Sequence, residues 1–464
     1  MMAEATLASL PPPPARIHFV GIGGIGMSGL ARILHAWGYT VSGSDAVDSE
    51  QCEALRRLGI PVNIGHTDVE RATAADLLVD TRAARREHAE LAAAIRAGVT
   101  RVARGQLLAM IANERRCVAV AGSHGKSTTS AMIASALRTL GRKPTYAIGA
   151  ILAETGQNAE PGEGDAVVVE ADEFDHAFLW LRPEVAVITN VEYDHPDIFP
   201  NQESYDADFV AFAGGLRPGG TLVIAHDDPG CGRVAARMEL PPDARVVTVG
   251  ECSGSDWQVC AGDGAWQVRT PDGQVVPLRL RVPGRHNARN ATAALAALAA
   301  LGCETRSAAA ALESFAGIGR RFERRGEVAG VLVIDDYGHH PTEIRAVLRT
   351  ARERFPGRRL WAVFQPHTYS RTKALLAEFA AAFDDADEAV ILEIYPSRET
   401  DTLGICSEDM RRLMRRRPYA ADNPAEAATL LAGAVQPGDV VLTIGAGDVT
   451  TVGPRLLRLL ESRA

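Results

Sequence analysis

The segment at residues 118–134, VAVAGSHGKSTTSAMIA, constrains the fold more than any other part of the chain. Its valine and alanine run predicts a buried strand, Gly122 and Gly125 let the backbone curl around an anion, and a helix is expected to open near Ser127. Such a turn presents backbone N–H groups and the positive end of a helix to phosphate oxygens. Lys126 can neutralise phosphate charge, and the Ser127 hydroxyl can ligate Mg²⁺. The segment predicts an α/β phosphate-binding domain.

One feature leaves an alternative open, because Val120 stands where the usual phosphate-loop consensus begins with glycine. The alternative is a glycine-rich turn with a solvated lysine. Only three of the 49 basic residues are lysines, namely Lys126, Lys143 and Lys373. A lysine inside a glycine loop of such a chain favours a function for it.

The composition bounds the class of protein. A chain of 464 residues predicts two to four domains, and its net charge of -9 argues against a general nucleic-acid binder. The seven cysteines are scattered without the spacing of a zinc site or a disulfide framework, which favours a reducing, cytoplasmic location. No apolar run is long enough to span a bilayer, so no membrane insertion is expected.

The N-terminal region predicts a βαβ unit with a second glycine turn. Gly21, Gly23 and Gly26 match GxGxxG after a strand at 16–20, and Asp45 lies where a dinucleotide fold places its ribose-binding acid. Taken alone, this pattern suggests an NAD-dependent dehydrogenase.

Two acidic segments follow the phosphate loop, each directly after a predicted strand. The first is EADEFD at 170–175, from which Glu170 is the predicted Mg²⁺ ligand because carboxylates suit this ion. The second, TNVEYDHPD at 189–197, offers Asn190, Asp194 and His195. A lone His-Asp pair is more often a turn cap, but its position after the loop favours a metal site.

The rest of the chain adds an alanine-rich helix and a third α/β stretch. Strands are predicted at 330–334, 360–364, 389–394 and 440–444, and helices at 342–353 and 371–383. Polar residues gather where these strands end, most densely in DDYGHH at 335–340. Because the carboxyl ends of parallel strands line one crevice, a site is expected there rather than ordinary polar loops.

The ensemble of motifs resembles the Mur ligases. The motifs are, in order, GIGGIGMSGLA, GSHGKST, EADEFD, TNVEYDHPD, GRHNARN, RRFE, DDYGHHPTEI and FQPHTYSRT. The resemblance implies an α/β chain of three domains: a Rossmann-like UDP-sugar domain at 1–112, a central P-loop ATPase at 113–318, and a Rossmann-like amino-acid domain at 319–464. In that family the phosphate loop has the shorter GxxGK[ST] form, so Val120 is no defect.

The resemblance also assigns roles to residues. Lys126, Glu170, His195 and His339 are implied to be catalytic, and the implied metal ligands are Ser127, Glu170 and His195. The implied ATP-binding residues are Gly122, Ser123, His124, Gly125, Lys126, Ser127, Thr128, His286, Asn287, Asn290, Arg321 and Asp336. The implied substrate-binding residues are Gly23, Gly24, Ile25, Gly26, Met27, Ser28, Asp45, Tyr337, His340, His367 and Arg371.

The implied reaction is the ATP- and Mg²⁺-dependent joining of L-alanine to UDP-N-acetylmuramate through an acyl phosphate, in peptidoglycan precursor synthesis. The implied partners are these small molecules, with no nucleic acid, and the chain is expected to be a monomer or homodimer. Three alternatives stay open: a relative that attaches a recycled murein tripeptide to the same sugar, the NAD-dependent dehydrogenase, and a binding protein that keeps nucleotide pockets without catalysis.

Departures from the family pattern bear on these roles. No lysine lies between Lys143 and Lys373, so the carbamylated lysine of relatives that add later amino acids is missing, which favours the alanine-adding branch. Thr368 replaces a common arginine, which shifts the expected carboxylate contact to Arg371 or Arg398. The Asp80-Thr81-Arg82 segment replaces a serine-rich one.

Overall fold

A computed structural model describes residues 9–81, 88–262 and 265–463. The described residues form two compact units. The first comprises the described residues within 1–192, 206–279 and 289–315, and the second comprises those within 193–205, 280–288 and 316–464. Each unit is built on parallel β-sheet, as the alternation of predicted strands and helices requires.

The first sheet belongs to the N-terminal residues and has five parallel strands in the order β3-β2-β1-β4-β5. The strands are β1 Arg16–Val20, β2 Thr40–Asp45, β3 Val62–Ile64, β4 Leu77–Asp80 and β5 Thr100–Ala103. The helices are α1 Ile25–Ala36, α2 Glu50–Arg57, α3 Val69–Ala74, α4 Ala89–Arg96 and α5 Arg104–Asn113. The predicted βαβ unit is confirmed, and α1 begins directly after the glycine turn.

The second sheet has ten strands in the order β15-β14-β13-β12-β11-β10-β6-β9-β7-β8. The strands are β6 Arg116–Ala121, β7 Thr145–Leu152, β8 Gln157–Glu160, β9 Ala166–Glu170, β10 Val185–Ile188, β11 Thr221–Ala225, β12 Arg245–Gly250, β13 Trp257–Ala261, β14 Trp266–Arg269 and β15 Val275–Leu278. The helices are α6 Lys126–Thr139, α7 Gln202–Gly214, α8 Pro229–Ala235, α9 Arg285–Ala300 and α10 Thr305–Leu312, with a short 3₁₀ segment at Phe174–Trp180. Its central strands are parallel, and β6, β9 and β10 lie side by side, so the segments that follow them meet at one edge.

The third sheet has six strands in the order β16-β17-β21-β18-β19-β20, of which only β16 runs antiparallel. The strands are β16 Glu323–Val328, β17 Val331–Asp336, β18 Leu360–Phe364, β19 Glu388–Leu392, β20 Tyr419–Ala421 and β21 Val440–Ile444. The helices are α11 Pro341–Arg354, α12 Tyr369–Ala374, α13 Leu376–Ala380, α14 Ser407–Leu413, α15 Pro424–Ala434 and α16 Val452–Glu461, with a 3₁₀ turn at Asp448–Thr451.

Apolar side chains cover both faces of this third sheet, as continuous apolar strands predict. One cluster joins Ile334, Phe364 and Leu442 to α11 and α13, and the other joins Val363 and Val441 to α15 and α16. The alanine-rich helix α9 is buried, as predicted. The predicted helix at 371–383 is wrong in its continuity, because the backbone leaves helical geometry at residue 375. Among the described residues, no helix has both the length and the apolarity that a bilayer span requires.

Candidate active site

The phosphate loop lies between β6 and α6 and has the conformation that its glycines predict. Gly122 and Gly125 have φ values of 133° and 82°, in the region that favours glycine. A Cβ at Gly122 would lie 2.0 Å from the Thr189 hydroxyl oxygen, and one at Gly125 would lie 2.6 Å from Asn290 Oδ1. Gly125 is the N-cap, so α6 begins at Lys126, one residue before the predicted Ser127. The turn therefore places the N-terminus of α6 at the carboxyl end of β6.

The segment after β10 holds this loop in place. The Asn190 side-chain amide donates to the His124 carbonyl and accepts from the His124 N–H, both at 2.9 Å. The Ser123 hydroxyl donates to the Glu192 carbonyl at 2.6 Å and accepts from the Glu192 N–H at 2.9 Å. The TNVE residues are thus structural supports of the loop, a role that the strand-end interpretation did not assign to them.

Two carboxylates of the EADE segment face the loop. Lys126 Nζ lies 2.8 Å from the fully buried Glu173 carboxylate, and it also donates to the Gly122 carbonyl at 2.5 Å. Burial alone would lower the pKa of Lys126, but Glu173, Asp172 and Glu170 outweigh this effect and raise it. Lys126 is therefore a cation at the centre of the loop.

Glu170 ends β9, which pairs with β6 in a register that sets Glu170 beside Val120. One Glu170 oxygen accepts from the Gly149 N–H at 2.7 Å. Its other oxygen has no hydrogen bond to any residue that the structure describes. A half-buried carboxylate with one open oxygen, close to a phosphate loop, suits a hard cation.

The residues predicted to meet adenine lie at the start of α9. The Asn290 carboxamide packs against Gly125 of the phosphate loop. The Asn287 amide donates to the Pro283 carbonyl at 2.6 Å and so closes the first turn of the helix. His286 lies against Gly284, where a Cβ would be 2.6 Å from the imidazole.

The N-terminal glycine turn is tied to Asp45 at the end of β2. The Asp45 carboxylate accepts from the Gly23 N–H at 2.8 Å and from the Val47 N–H at 3.1 Å. Met27 and Ser28 are buried, so a ligand at this turn meets backbone N–H groups rather than these side chains. Gly24 and Ile25 are exposed at the start of α1, whereas the Arg104 side chain lies against Gly26. Asp45 here acts as a support of the turn.

The departure at Asp80-Thr81-Arg82 has a partial structural account. Asp80 is buried and forms an ion pair with Arg101 on the neighbouring strand β5, with 2.5 Å between Nη2 and Oδ2. Arg82 lies outside the described residues. Asp80 therefore links β4 to β5, and its carboxylate is paired with Arg101.

In the second unit, Asp336 and Arg321 lie at the end of β17. The Asp336 carboxylate accepts from the N–H groups of Phe322 and Gly338, at 2.8 and 2.7 Å, and burial raises its pKa to about 6. Arg321 pairs with Glu343 at 3.1 Å. Tyr337 is exposed and has the Arg320 and Arg321 guanidinium groups near its ring.

A buried ion pair holds Arg371, one of the residues predicted to receive the acceptor amino acid. Arg371 Nε donates to Asp194 Oδ1 at 2.8 Å, and each side chain is 4% exposed. Burial would raise the pKa of Asp194, but Arg371 and His195 hold it well below the usual value. Asp194 thus holds the Arg371 side chain in position. The sequence analysis had assigned Arg371 to substrate binding and had not predicted this partner.

The two imidazoles near this pair are uncharged at neutral pH. Burial and then Arg371 lower the pKa of His339 to about 3 and that of His367 to about 4. His339 Nδ1 lies 3.1 Å from the Tyr337 carbonyl, which fixes the proton on Nδ1 and leaves Nε2 as an acceptor. The Arg371 Nη1 lies 3.4 Å from His367 Nδ1.

The remaining predicted residues have local roles. His340 is buried and caps α11, since its Nδ1 accepts from the Thr342 N–H at 3.3 Å. His195 has a left-handed backbone, with φ 54°, and its Nε2 is 3.9 Å from Asp194 Oδ2. Thr368, also left-handed, precedes α12, and Arg398 pairs with Asp197 at 2.5 Å.

Three family models match consecutive parts of the chain. They are described as the Mur ligase family catalytic domain, at 16–116, the Mur ligase middle domain, at 120–298, and the Mur ligase glutamate ligase domain, at 320–447. The chain belongs to the Mur ligase family. The predicted three-domain α/β architecture is thereby confirmed.

Individual Mur ligases are similar over nearly the whole chain. The UDP-N-acetylmuramate–L-alanine ligase of Streptomyces avermitilis is 44% identical over 98% of this chain and 99% of its own length. That of Mycobacterium marinum is 42% identical over 99% and 97%. The crystal structure of UDP-N-acetylmuramate-alanine ligase from Thermotoga maritima matches with a TM-score of 0.77 and 30% identity, covering 97% of this chain and 100% of that one.

A Mur ligase of another specificity is also similar. The murein peptide ligase of Psychrobacter arcticus gives a TM-score of 0.71 at 25% identity and covers 96% of this chain and 98% of that one. Family membership removes the dehydrogenase interpretation, in which the N-terminal glycine turn held NAD. A glycine turn at a helix N-terminus recognises a pyrophosphate whichever nucleotide carries it.

The sequence interpretation missed the structural roles of three residues. Glu173 and Asn190 hold the phosphate loop, and Glu343 pairs with Arg321 while accepting from the His339 N–H at 2.9 Å. All three belong to motifs that were recognised, EADE, TNVE and HHPTE. Their position inside these motifs was the signal that could have identified them. Their partners could not be predicted, because they lie 4 to 66 residues away in the chain.

Proposed function

We propose that the chain is an ATP-dependent ligase that joins L-alanine to UDP-N-acetylmuramate in peptidoglycan precursor synthesis. The observation that carries this proposal is full-length similarity to UDP-N-acetylmuramate–L-alanine ligases, at 44% identity for the Streptomyces avermitilis enzyme and 41% for that of Nitratidesulfovibrio vulgaris. The attachment of a recycled murein tripeptide is the second candidate. Its support is the structural similarity to murein peptide ligases, which have lower TM-scores and lower identities than the alanine ligase of Thermotoga maritima.

The phosphate loop accounts for the first half of the proposed reaction. The muramoyl carboxylate attacks the γ-phosphate of ATP, which gives an acyl phosphate and ADP. Lys126 and the N–H groups at the start of α6 stabilise the charge of the transferring phosphoryl group. We assign Gly122 to Thr128 to the phosphates, and His286, Asn287 and Asn290 to the adenine. Arg321 and Asp336 complete this assignment.

The donor set near the loop fits a magnesium ion. Glu170 supplies a carboxylate oxygen that no described residue uses, and Ser127, in the first turn of α6, supplies a hydroxyl. We assign the ion to these two residues, with His195 as a ligand of a second ion. When bound, Mg²⁺ neutralises phosphate charge.

The residues at the end of β17 and around α12 account for the second half. The alanine amine attacks the carbonyl carbon of the acyl phosphate and gives up a proton. The bond from this carbon to the phosphate oxygen breaks, so phosphate leaves and the amide remains. Neutral His339, with Nε2 as an acceptor, suits the amine rather than the carboxylate of alanine. We assign the alanine carboxylate to Arg371, whose Nε donates to Asp194 and whose Nη1 lies near His367, so that Nη2 is the group left to donate to it. Tyr337, His340 and His367 complete the predicted acceptor site.

The UDP moiety is assigned to the N-terminal glycine turn, at Gly23, Gly24, Ile25, Gly26, Met27, Ser28 and Asp45. We further propose that the protein acts in the cytoplasm, as a monomer or homodimer. The precursor nucleotides and ATP are cytoplasmic metabolites, so this location follows from the proposed substrates.

Phosphate release by the purified chain tests the proposal. With ATP, Mg²⁺ and UDP-N-acetylmuramate, release should require an added amino acid, and L-alanine should support it far better than a murein tripeptide. Lys126→Ala should lower the rate by a factor of about 100 to 1,000, because it removes the charge on the phosphoryl group. Tripeptide-dependent release would favour the second candidate, and release that ignores the muramyl compound would overturn both.

A further inference from the structure

Glu173 is a buried acid to which the reaction assigns no role. It is the last residue of EADE, comes just before the 3₁₀ segment at Phe174–Trp180, and is 0% exposed. Its carboxylate faces Lys126, with Oε1 and Oε2 at 3.0 and 2.8 Å from Nζ. A carboxylate buried this completely needs a cationic partner, and Lys126 is that partner.

The contacts of Lys126 use the full hydrogen-bonding capacity of its ammonium group. Nζ carries three hydrogens. It lies within hydrogen-bond distance of the Gly122 carbonyl at 2.5 Å, the Ser123 carbonyl at 3.2 Å and the Glu173 carboxylate. All three partners belong to the loop or to the strand end beside it. Lys126 must therefore give up at least one of them to donate to a phosphate oxygen.

Among these three partners, only Glu173 is charged, so its contact is the strongest competitor for the lysine. Whichever contact Lys126 gives up, a bound phosphate shares its positive charge with Glu173, so the buried carboxylate is left less well neutralised. That penalty is absent when no nucleotide is bound, so it reduces the affinity for nucleotide. We propose that Glu173 is a positioning residue that holds Lys126 when no nucleotide is bound and competes with nucleotide phosphates for it.

This inference rests on the proposed use of ATP at Gly122 to Thr128, and it predicts a gain of binding on removal of a charge. Glu173→Gln keeps the shape and removes the charge. In isothermal titration of ADP into the full chain, we expect Kd to fall about three- to tenfold, since a neutral amide competes less strongly for Lys126. A Kd equal to the wild-type value, or a higher one, would overturn the inference.

A second background shows whether Glu173 acts through Lys126. In Lys126→Ala the buried Glu173 loses its cation and is expected to take up a proton, so Glu173→Gln should then change the ADP Kd by less than about twofold. Equal tightening in both backgrounds would contradict the inference, because it would mean that Glu173 repels the phosphates directly.

A matched control separates this effect from a general loss of charge near α6. Glu154 also bonds to α6, through the Ser135 hydroxyl at 2.7 Å, but it lies away from the loop. Glu154→Gln should leave the ADP Kd unchanged. If Glu173→Gln fails to fold, Glu173→Asp keeps the charge but withdraws it from Lys126, and it should also lower Kd. An unchanged Kd in Glu173→Asp would then overturn the inference.

The experiment also distinguishes this inference from the proposed function. A wild-type chain that binds ADP and makes the alanine product, with no change in Glu173→Gln, defeats only the inference. A wild-type chain that neither binds ADP nor releases phosphate in the presence of UDP-N-acetylmuramate defeats both.

Discussion

At the scale of single residues, burial decides the charge of the groups in the proposed acceptor site. Arg371 is a buried cation, and burial, reinforced by Arg371, lowers the pKa values of His339 and His367 so that both are neutral at pH 7. Among Arg371, His339 and His367, only Arg371 is therefore charged at neutral pH. Such a site can bind the carboxylate of an amino acid through Arg371 and still accept hydrogen bonds from its amine.

This charge distribution makes a prediction about pH. The pKa values of His339 and His367, about 3 and about 4, are both lower than the value of about 6.5 expected in the unfolded chain. Between those limits the unfolded chain binds more protons, so stability from these groups rises with pH and is complete above about 6.5. In ¹⁵N-histidine NMR spectra, neither imidazole should titrate between pH 5 and 8. His339→Gln assigns one resonance, and a midpoint near 6.5 for that resonance would contradict the prediction.

The sequence predicted the residues whose function depends on neighbours along the chain. Gly122, Gly125 and Lys126 act within one turn, so their types and spacing were sufficient evidence. Glu173 and Asn190 act on partners 47 and 66 residues away, and Asp194 pairs with Arg371 across 177 residues. No local pattern encodes such distances, which only the arrangement of strands establishes.

At the scale of elements, α1 is fixed to the hairpin of β7 and β8 by close packing. A Cβ at Gly29 would lie 2.7 Å from the Ala159 Cβ, closer than two carbon atoms can approach. The Asn158 side chain donates to the Ile25 carbonyl at 3.2 Å, at the start of the same helix. Glycine is thus required at position 29 by its neighbour and not by its own backbone conformation.

This contact predicts opposite effects of the same substitution in two helices. Gly29→Ala should lower the free energy of unfolding by about 1–3 kcal/mol, because the added methyl overpacks the contact with Ala159. Gly232, in the interior of α8, has no atom within 4 Å of an added Cβ. Gly232→Ala should therefore raise it by roughly 0.5–1 kcal/mol, through helix propensity. Urea unfolding followed by circular dichroism measures both, and destabilisation by Gly232→Ala would refute the comparison.

Elements with continuous apolar runs were predicted accurately, whereas a helix interruption was not. Strands β18 and β21 have the predicted bounds, Leu360–Phe364 and Val440–Ile444, because every residue of each is buried. The break between α12 and α13 falls at Leu375, which any helix tolerates by propensity. The first of the two helices, α12, is fixed by the Glu399 carboxylate, which accepts hydrogen bonds from the Tyr369 and Ser370 N–H groups. Tertiary contacts of this kind override local preference.

At the scale of the whole molecule, compact units do not coincide with continuous stretches of chain. Residues 193–205 follow β10 in sequence but belong to the same unit as 316–464. The Asp194–Arg371 pair lies inside that unit. The predicted C-terminal domain, 319–464, thus contains the sheet and both apolar clusters but not the anion that neutralises its buried arginine.

The effect of Arg371→Met should therefore depend on how much of the chain is present. In the full chain the substitution leaves Asp194 buried without its cation, which costs about 3–5 kcal/mol. Amide hydrogen exchange in β18 should then accelerate about 100-fold or more. We expect the isolated segment 319–464 to fold on its own core. The isolated segment lacks Asp194, so the same substitution leaves no carboxylate unpaired there and should change the rate of amide exchange by less than about fivefold.

Adding Asp194→Asn to Arg371→Met in the full chain should recover part of the lost stability, because no uncompensated charge is then buried. Equal acceleration in both proteins would mean that Arg371 stabilises the third sheet through its own packing, independently of Asp194.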